Sequence, residues 1–252
     1  FNYRVIKLKL KLFYIVYNSM DNLKVLPLRE IKDNKKKTKK EIHPNLPQIP
    51  FLLSIVGATG TGKSVAISNM LLNKFMYGGA NHAFDRVYIF SPSIYLDKSS
   101  KHLLDAFTCF SEYRDDILDS ILHRQQEHDP EDMPNICIIL DDSIGTDAMA
   151  RSSKISFFLS RYRHWNCSVI MSVQHFRSIV SLGRANSTDA IIFKIPNAKE
   201  LEKINEEWGA MYENQFLDLY KRATAERYGF LYLKLREIPP AAYKNFTKQL
   251  TY

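Results

Sequence analysis

From residue 51 onward, short and nearly unbroken apolar runs alternate with stretches whose apolar residues return every three or four positions. Phe51-Leu-Leu-Ser-Ile-Val56, Arg86-Val-Tyr-Ile-Phe90, Ile136-Cys-Ile-Ile-Leu140, Ser168-Val-Ile-Met-Ser-Val173, Ala190-Ile-Ile-Phe-Lys-Ile195 and residues 228–235 have the length and composition of buried strands. Helical periodicity runs over residues 64–76, and over 115–127, where Ile117, Leu118, Ile121 and Leu122 share a face. It returns over 149–164, with Ile155, Phe158, Leu159 and Tyr162 at i, i+3, i+4 and i+7, and again around Leu201, Ile204 and Trp208. Strands that are apolar on both faces need cover on both faces. The pattern therefore predicts an α/β fold, a mostly parallel sheet flanked by helices on each side.

Before this body the pattern fails. Residues 32–41 contain no apolar side chain and read as a solvated linker, and Pro44, Pro47 and Pro50 punctuate the approach to the first strand. The expected division is a basic, flexible arm over 1–45 and one domain over 46–252. Charge sharpens it: residues 1–41 hold 12 Lys or Arg and 4 acids, leaving 23 of each for the rest, so the whole net charge of +8 sits in the arm. Such an arm fits a polyanionic partner, and equally a solubilising tail or a nuclear address. Lys7, Lys9 and Lys11 interrupt the apolar stretch near the start, which argues against a membrane span. The expectation is that Met20 is the native start and that residues 1–19 are translated upstream sequence or a remnant of cloning. Cys109, Cys137 and Cys167 are dispersed, which disfavours a structural zinc site and fits a reducing compartment.

The chemistry begins where the first strand ends. Gly57-Ala-Thr-Gly-Thr-Gly-Lys-Ser64 meets the spacing G-x-x-x-x-G-K-[ST]. Glycines permit the backbone that turns successive N–H groups toward one anion, and the helix after the loop adds its positive end. The stretch Gly57, Ala58, Thr59, Gly60, Thr61, Gly62, Lys63, Ser64 and Val65 is the expected phosphate cradle, with ATP as ligand. Lys63 would reach the β and γ phosphates and the Ser64 hydroxyl would ligate Mg²⁺. Ile136 to Asp142 is an apolar strand ending in two acids, the pattern in which Asp141 holds the metal and Asp142 orients or deprotonates water. Gln174 follows the next strand directly; an amide there can sense the γ-phosphate or sit as an ordinary surface residue. Arg161 and Arg163 flank Tyr162 and are either arginine-finger candidates or exposed charges near a helix C-terminus.

Taken in order, the loop, Tyr88-Ile-Phe-Ser-Pro92, Ile138-Ile-Leu-Asp-Asp142, Arg163-His164 and Val169-Ile-Met-Ser-Val-Gln174 resemble the FtsK–HerA superfamily of P-loop ATPases. Within it the chain is most similar to the poxvirus-type packaging ATPases of large DNA viruses and virophages, over roughly residues 50–235. The resemblance implies an ASCE/RecA-like sheet and a ring oligomer that drives double-stranded DNA into a capsid, with capsid or portal-vertex proteins as partners and no membrane. It implies a site of action in the host cytoplasm or viral factory, or association with the virion. It also implies Gln174 as sensor, Asp142 as catalytic acid and Arg163 as the better finger candidate, with Arg161 two residues away still open. A helicase or other nucleic-acid-dependent ATPase, a P-loop nucleotide kinase, and a scaffold without turnover stay open. Residues 78–84 and 143–152 are polar or glycine-containing and are candidate pore loops.

Overall fold

Strands without a polar face have to be sandwiched, and the helices are distributed to do it. The computed structural model describes residues 42–78, 82–96, 100–142, 149 and 152–251, all within one unit of residues 38–252. The basic arm up to residue 41, the Met20 start, and most of the candidate pore loop over 143–152 lie outside the described residues. The described chain runs β1 (Leu52–Val56), α1 (Lys63–Leu72), β2 (Arg86–Phe90), α2 (Lys101–Ala106), β3 (Thr108–Phe110), α3 (Asp115–Gln126) and β4 (Ile136–Asp141). It continues α4 (Ser153–Arg161), β5 (Cys167–Val173), α5 (Ser181–Asn186), β6 (Asp189–Ile192), α6 (Ala198–Ile204), α7 (Phe216–Ala223), β7 (Leu231–Lys234), β8 (Ala241–Lys244) and β9 (Lys248–Leu250).

The nine strands form one sheet in the order β3-β2-β4-β5-β1-β6-β7-β8-β9. From β3 to β6 every pairing is parallel, and from β6 to β9 every pairing is antiparallel. The strand carrying the glycine loop and the strand ending in two acids are therefore not neighbours: β5 lies between them. This is the strand order expected of an ASCE-type P-loop sheet.

The pleat sorts side chains with a period of two. In β4, Ile136, Ile138 and Leu140 enter one core and Cys137 and Ile139 the other. In β5, Val169, Met171 and Val173 join the first core and Ile170 the second. The first is covered by α3, α4, α6 and α7, through residues such as Leu118, Phe158, Ile204 and Leu219. The second is covered by α1 and α2 through Ile67, Met70 and Leu103. Each fully buried side chain of this size stabilises the fold by about 1.5–3 kcal/mol relative to exposure.

Departures from the periodicity have local causes. Helix α1 stops at Leu72, four residues short of expectation, because Asn73 turns extended and its side-chain oxygen accepts the Phe75 N–H (3.0 Å). The chain then folds back, with the Tyr77 N–H donating to Met70 O (3.0 Å) and the Tyr77 ring buried. The helix expected over 149–164 is α4 followed by a 3₁₀ turn, Tyr162–Trp165. Its start is capped by Ser152, whose hydroxyl accepts the Ile155 N–H. Strand β6 ends at Ile192 rather than at 195, since the Ile195 N–H donates to the Tyr220 hydroxyl (2.7 Å). The short elements α2, β3, α5, β8 and β9, together with α7, have no counterpart in the pattern of the sequence.

One buried amide ties helix to sheet. Gln125 in α3 donates both amide hydrogens, to Pro134 O and Trp165 O (2.9 Å each), at the entries to β4 and β5. Gln125→Met keeps the volume and orphans two carbonyls, so it should cost about 1–3 kcal/mol. A shift of the urea midpoint with unchanged slope is the readout, and nucleotide affinity should not move.

Candidate functional site

Parallel strands deliver their C-terminal ends to one edge of the sheet, and three adjacent exits there carry the predicted chemistry. Val56 pairs with Val173, and Asp141 pairs with Ser172. The Gly57 N–H donates to Val173 O (3.2 Å) and the Asp142 N–H to Ser172 O (2.9 Å), so the ladder continues one residue past each strand. Gly57, Asp142 and Gln174 thus leave the sheet side by side.

The loop from Gly57 to Gly62 owes its shape to its glycines. Gly60 and Gly62 hold φ of 77° and 109°, and Gly62 caps α1. Gly57 is required for another reason: a Cβ there would stand 2.7 Å from both Phe193 Cβ and Thr61 Oγ1. The Thr61 hydroxyl donates to Ala58 O (2.7 Å) and closes the turn. Lys63, the first residue of α1, is buried, and its ammonium donates to Gly57 O (2.8 Å) and Ala58 O (3.3 Å). Burial lowers its pKa, opposed by the carboxylates of Asp142 and Asp141. Ser64 and Val65 are exposed beside it.

Asp141 is mostly buried and accepts a hydrogen bond from the Ser91 hydroxyl (3.1 Å) at the end of β2. Burial pushes its pKa up from the ordinary carboxyl range. Asp142 holds a left-handed backbone (φ 46°), which re-aims the chain as β4 ends and leaves it lining the same cavity as Lys63 and Ser64. Gln174 spans the gap between loop and acid. Its Nε2 donates to Asp142 Oδ2 (3.1 Å), and its Oε1 accepts from the Thr59 hydroxyl (3.1 Å).

The two arginines are elsewhere. Arg163 and Arg161 precede β5, whereas Gln174 follows it, and seven residues of strand separate these ends by roughly 20 Å at about 3.3 Å per residue. Arg163 Nε donates to the Tyr162 hydroxyl (3.0 Å), and the Arg161 guanidinium lies over the Phe157 ring, 4.1 Å from its centroid. Within one chain the fold does not bring either to the loop.

The sequence gives no sign of one wall of the site. A cavity of about 820 Å³ runs from Asp142 and Lys63 along α1 to Tyr228, Phe230 and Phe246. Phe230 and Phe246 flank the antiparallel strands, and nothing in their spacing links them to a loop more than 160 residues earlier. Ser91 reads in the sequence only as the end of a strand, and the Asp141 contact assigns it to the site.

The family model for the poxvirus A32 protein matches residues 38–228, a span containing the loop, both acids, Gln174 and the two arginines. The chain belongs to the poxvirus A32 protein family. Strands β7 to β9 lie beyond the matched span. Among solved structures, the chain is similar in fold to the genome packaging NTPase B204 of Sulfolobus turreted icosahedral virus 2, crystallised with sulfate. The TM-score is 0.55 at 16% identity, over 79% of this chain and 96% of that one. B204 of Sulfolobus turreted icosahedral virus, described as a DNA-packaging ATPase, gives 0.56 at 15%, over 75% and 94%. No curated protein matches. At this identity the likeness establishes the fold that this member of the poxvirus A32 family shares with B204.

Gly57→Ala tests the close approach under the loop. The added methyl meets the root of the Phe193 side chain, which cannot rotate away, so the variant should lose about 1–3 kcal/mol of stability. Thermal unfolding measures that loss, and titration with a fluorescent nucleotide should show weakened binding in the same protein.

Proposed function

We propose that this chain hydrolyses ATP to drive double-stranded DNA into a viral capsid. The observation that carries the reading is the hydrogen-bonded chain Thr59–Gln174–Asp142. It couples the phosphate loop to a carboxylate in the way a hydrolase needs, joining the state of the γ-phosphate to the group that handles water. Membership of the poxvirus A32 family and the fold shared with B204, a genome packaging NTPase, support the cargo.

In this reading the Lys63 ammonium exchanges the carbonyls of Gly57 and Ala58 for β- and γ-phosphate oxygens, which it meets with little reorganisation. Water held by Gln174 and Asp142 attacks the γ-phosphorus and gives its proton to the Asp142 carboxylate. The bond from γ-phosphorus to the β,γ-bridging oxygen breaks, releasing ADP and inorganic phosphate. The Ser64 hydroxyl and the Asp141 carboxylate are hard oxygen donors of the kind Mg²⁺ takes, and the ion would neutralise phosphate charge there. The pKa of Asp141 is raised by burial, and a cation bound beside it would favour the charged carboxylate.

Arg163, at the opposite end of β5, acts in this reading on the nucleotide of a neighbouring subunit, which calls for a ring. Capsid or portal-vertex proteins would anchor that ring in the host cytoplasm, the viral factory or the virion. The arm over residues 1–45 supplies positive charge for a polyanion such as the DNA backbone. Among the described residues no helix is long and apolar enough to cross a membrane.

Turnover should rise when long duplex DNA is added, and Lys63→Ala should abolish it with or without DNA. Asp142→Asn should still bind ATP while turnover falls about a hundredfold or more, the scale of losing a positioned base. Phosphate release measures both; DNA-independent turnover, or turnover that survives Lys63→Ala, overturns the reading. Mixing tests the ring: Arg163→Ala and Lys63→Ala subunits, each inactive alone, should recover activity together. No recovery would remove Arg163 as a residue acting between subunits.

A further inference from the structure

The phosphate loop accounts for one end of the 820 Å³ cavity, and the other end is built differently. Its volume lies within the roughly 300–1,000 Å³ of small-molecule sites, and it is larger than a triphosphate needs. One wall is a single face of α1: Gly62, Val65, Ala66 and Asn69 stand at i, i+3, i+4 and i+7. Val65 is 62% exposed on that face, an apolar residue facing open space beside the loop. The facing wall comes from the end of the family match and beyond it: Tyr228 and Phe230 enter β7, and Asn245, Phe246 and Thr247 form the turn between β8 and β9.

Tyr228 is held in a costly way. It has a left-handed backbone (φ 65°), uncommon for a bulky residue, and it is 55% exposed. Its ring lies beside the end of the loop: a Cβ on Gly62 would stand 3.5 Å from Tyr228 Cδ1, ordinary van der Waals contact. The Arg227 guanidinium lies over the ring, 4.8 Å from its centroid. Tyr228 borders both the large cavity and a smaller one of about 310 Å³ that includes Arg227, Lys194 and Gly60. Tyr228 thus stands more than half exposed next to the first turn of α1, with Arg227 over one face of its ring. Behind it the rings of Phe193, Phe230 and Phe246 pack in sequence at 5.1 Å and 5.2 Å between centroids, so the wall is rigid.

The polar side chains on these walls are the amides of Asn69 and Asn245 and the hydroxyls of Tyr228 and Thr247, while the charges of Lys63 and Asp142 stand at the phosphate end. Asn245 uses its side-chain oxygen to accept the Phe230 N–H (3.2 Å), which leaves its NH₂ as a donor. Asn69 donates its NH₂ to Val65 O (2.9 Å), which leaves its oxygen as an acceptor. A flat, apolar-faced ligand with both donors and acceptors on its edge fits such walls.

We infer that the cleft between α1 and the β8–β9 turn is the subsite for the adenine base of the bound nucleotide, with Tyr228 as its stacking platform. The inference rests on the reading of the chain as an ATPase, and it assigns nucleotide selection to the C-terminal antiparallel strands. The loop holds the phosphates, the α1 face lines the path of the ribose, and the base lies on Tyr228 with its edge toward Asn69 and Asn245.

The test uses calorimetric titration of the full chain with the non-hydrolysable analogue AMPPNP and with inorganic tripolyphosphate, which has no base. Wild type should bind AMPPNP at least tenfold more tightly than tripolyphosphate. Tyr228→Gly keeps the left-handed backbone free of strain and should weaken AMPPNP roughly tenfold, the scale of one lost base–aromatic stack, while leaving tripolyphosphate unchanged. Tyr228→Trp should restore AMPPNP binding. Unchanged AMPPNP affinity in Tyr228→Gly, or an equal loss for both ligands, overturns the base subsite. A wild-type protein that binds neither ligand overturns the ATPase reading itself, whereas one that binds both equally well overturns the subsite alone.

Discussion

The ladder of hydrogen bonds that seats β5 between β1 and β4 is the constraint on which the site depends. Val56 faces Val173 on one side of β5, and Asp141 faces Ser172 on the other. Neighbouring strands lie about 4.8 Å apart, so three consecutive exits place a glycine loop, an acid and an amide within hydrogen-bonding reach of one another. The register is held by burial on both faces. A slip of one residue would exchange Ile170 with its neighbours between the two cores and carry Gln174 to the wrong side of the sheet. Gln125, bonded to the carbonyls that precede β4 and β5, pins the opposite ends of the same two strands.

On that frame the electrostatics are arranged for a ligand. Lys63 and Asp141 are both buried enough that their charged forms are disfavoured, the one lowered and the other raised in pKa. The partners named above are neutral for both: backbone carbonyls for Lys63 and the Ser91 hydroxyl for Asp141. Neutral partners compensate a buried charge incompletely. A polyphosphate and its counter-ion would complete both, which is how a preformed loop turns burial into affinity.

The sheet is also asymmetric. Its parallel part, β3 to β6, carries the glycine loop, the two acids and Gln174, and its antiparallel part, β7 to β9, closes one flank and supplies the aromatic wall of the cavity. Phe193, just after β6, joins the two parts. It underlies Gly57 so closely that no Cβ fits between them, and it packs on Phe230. A change in the loop and a change in the wall are therefore mechanically close, although their residues are far apart in sequence.

Much of this was legible in the chain. Unbroken apolar runs specified the central strands, because a strand buried on both faces admits no polar alternation. The spacing from Gly57 to Ser64 marked the glycine loop, which the structure places directly between β1 and α1, with Gly60 and Gly62 at positive φ. The order of acids, Arg-His and Gln174 specified the family. What the order along the chain could not carry was adjacency. That β5 separates β1 from β4, that Gln174 joins Thr59 to Asp142, and that Arg163 stands at the far end of β5 are consequences of strand order, which long-range pairing decides. The short elements β3, β8 and β9 lacked a periodic signal because three or four residues hold barely one repeat. Tyr228 and Phe230 read only as part of a strand and Phe246 carried no signal, until the antiparallel strands placed all three across a cavity from α1. Local propensity and spacing determined which pieces this protein has, and packing between residues distant in sequence decided which of them meet.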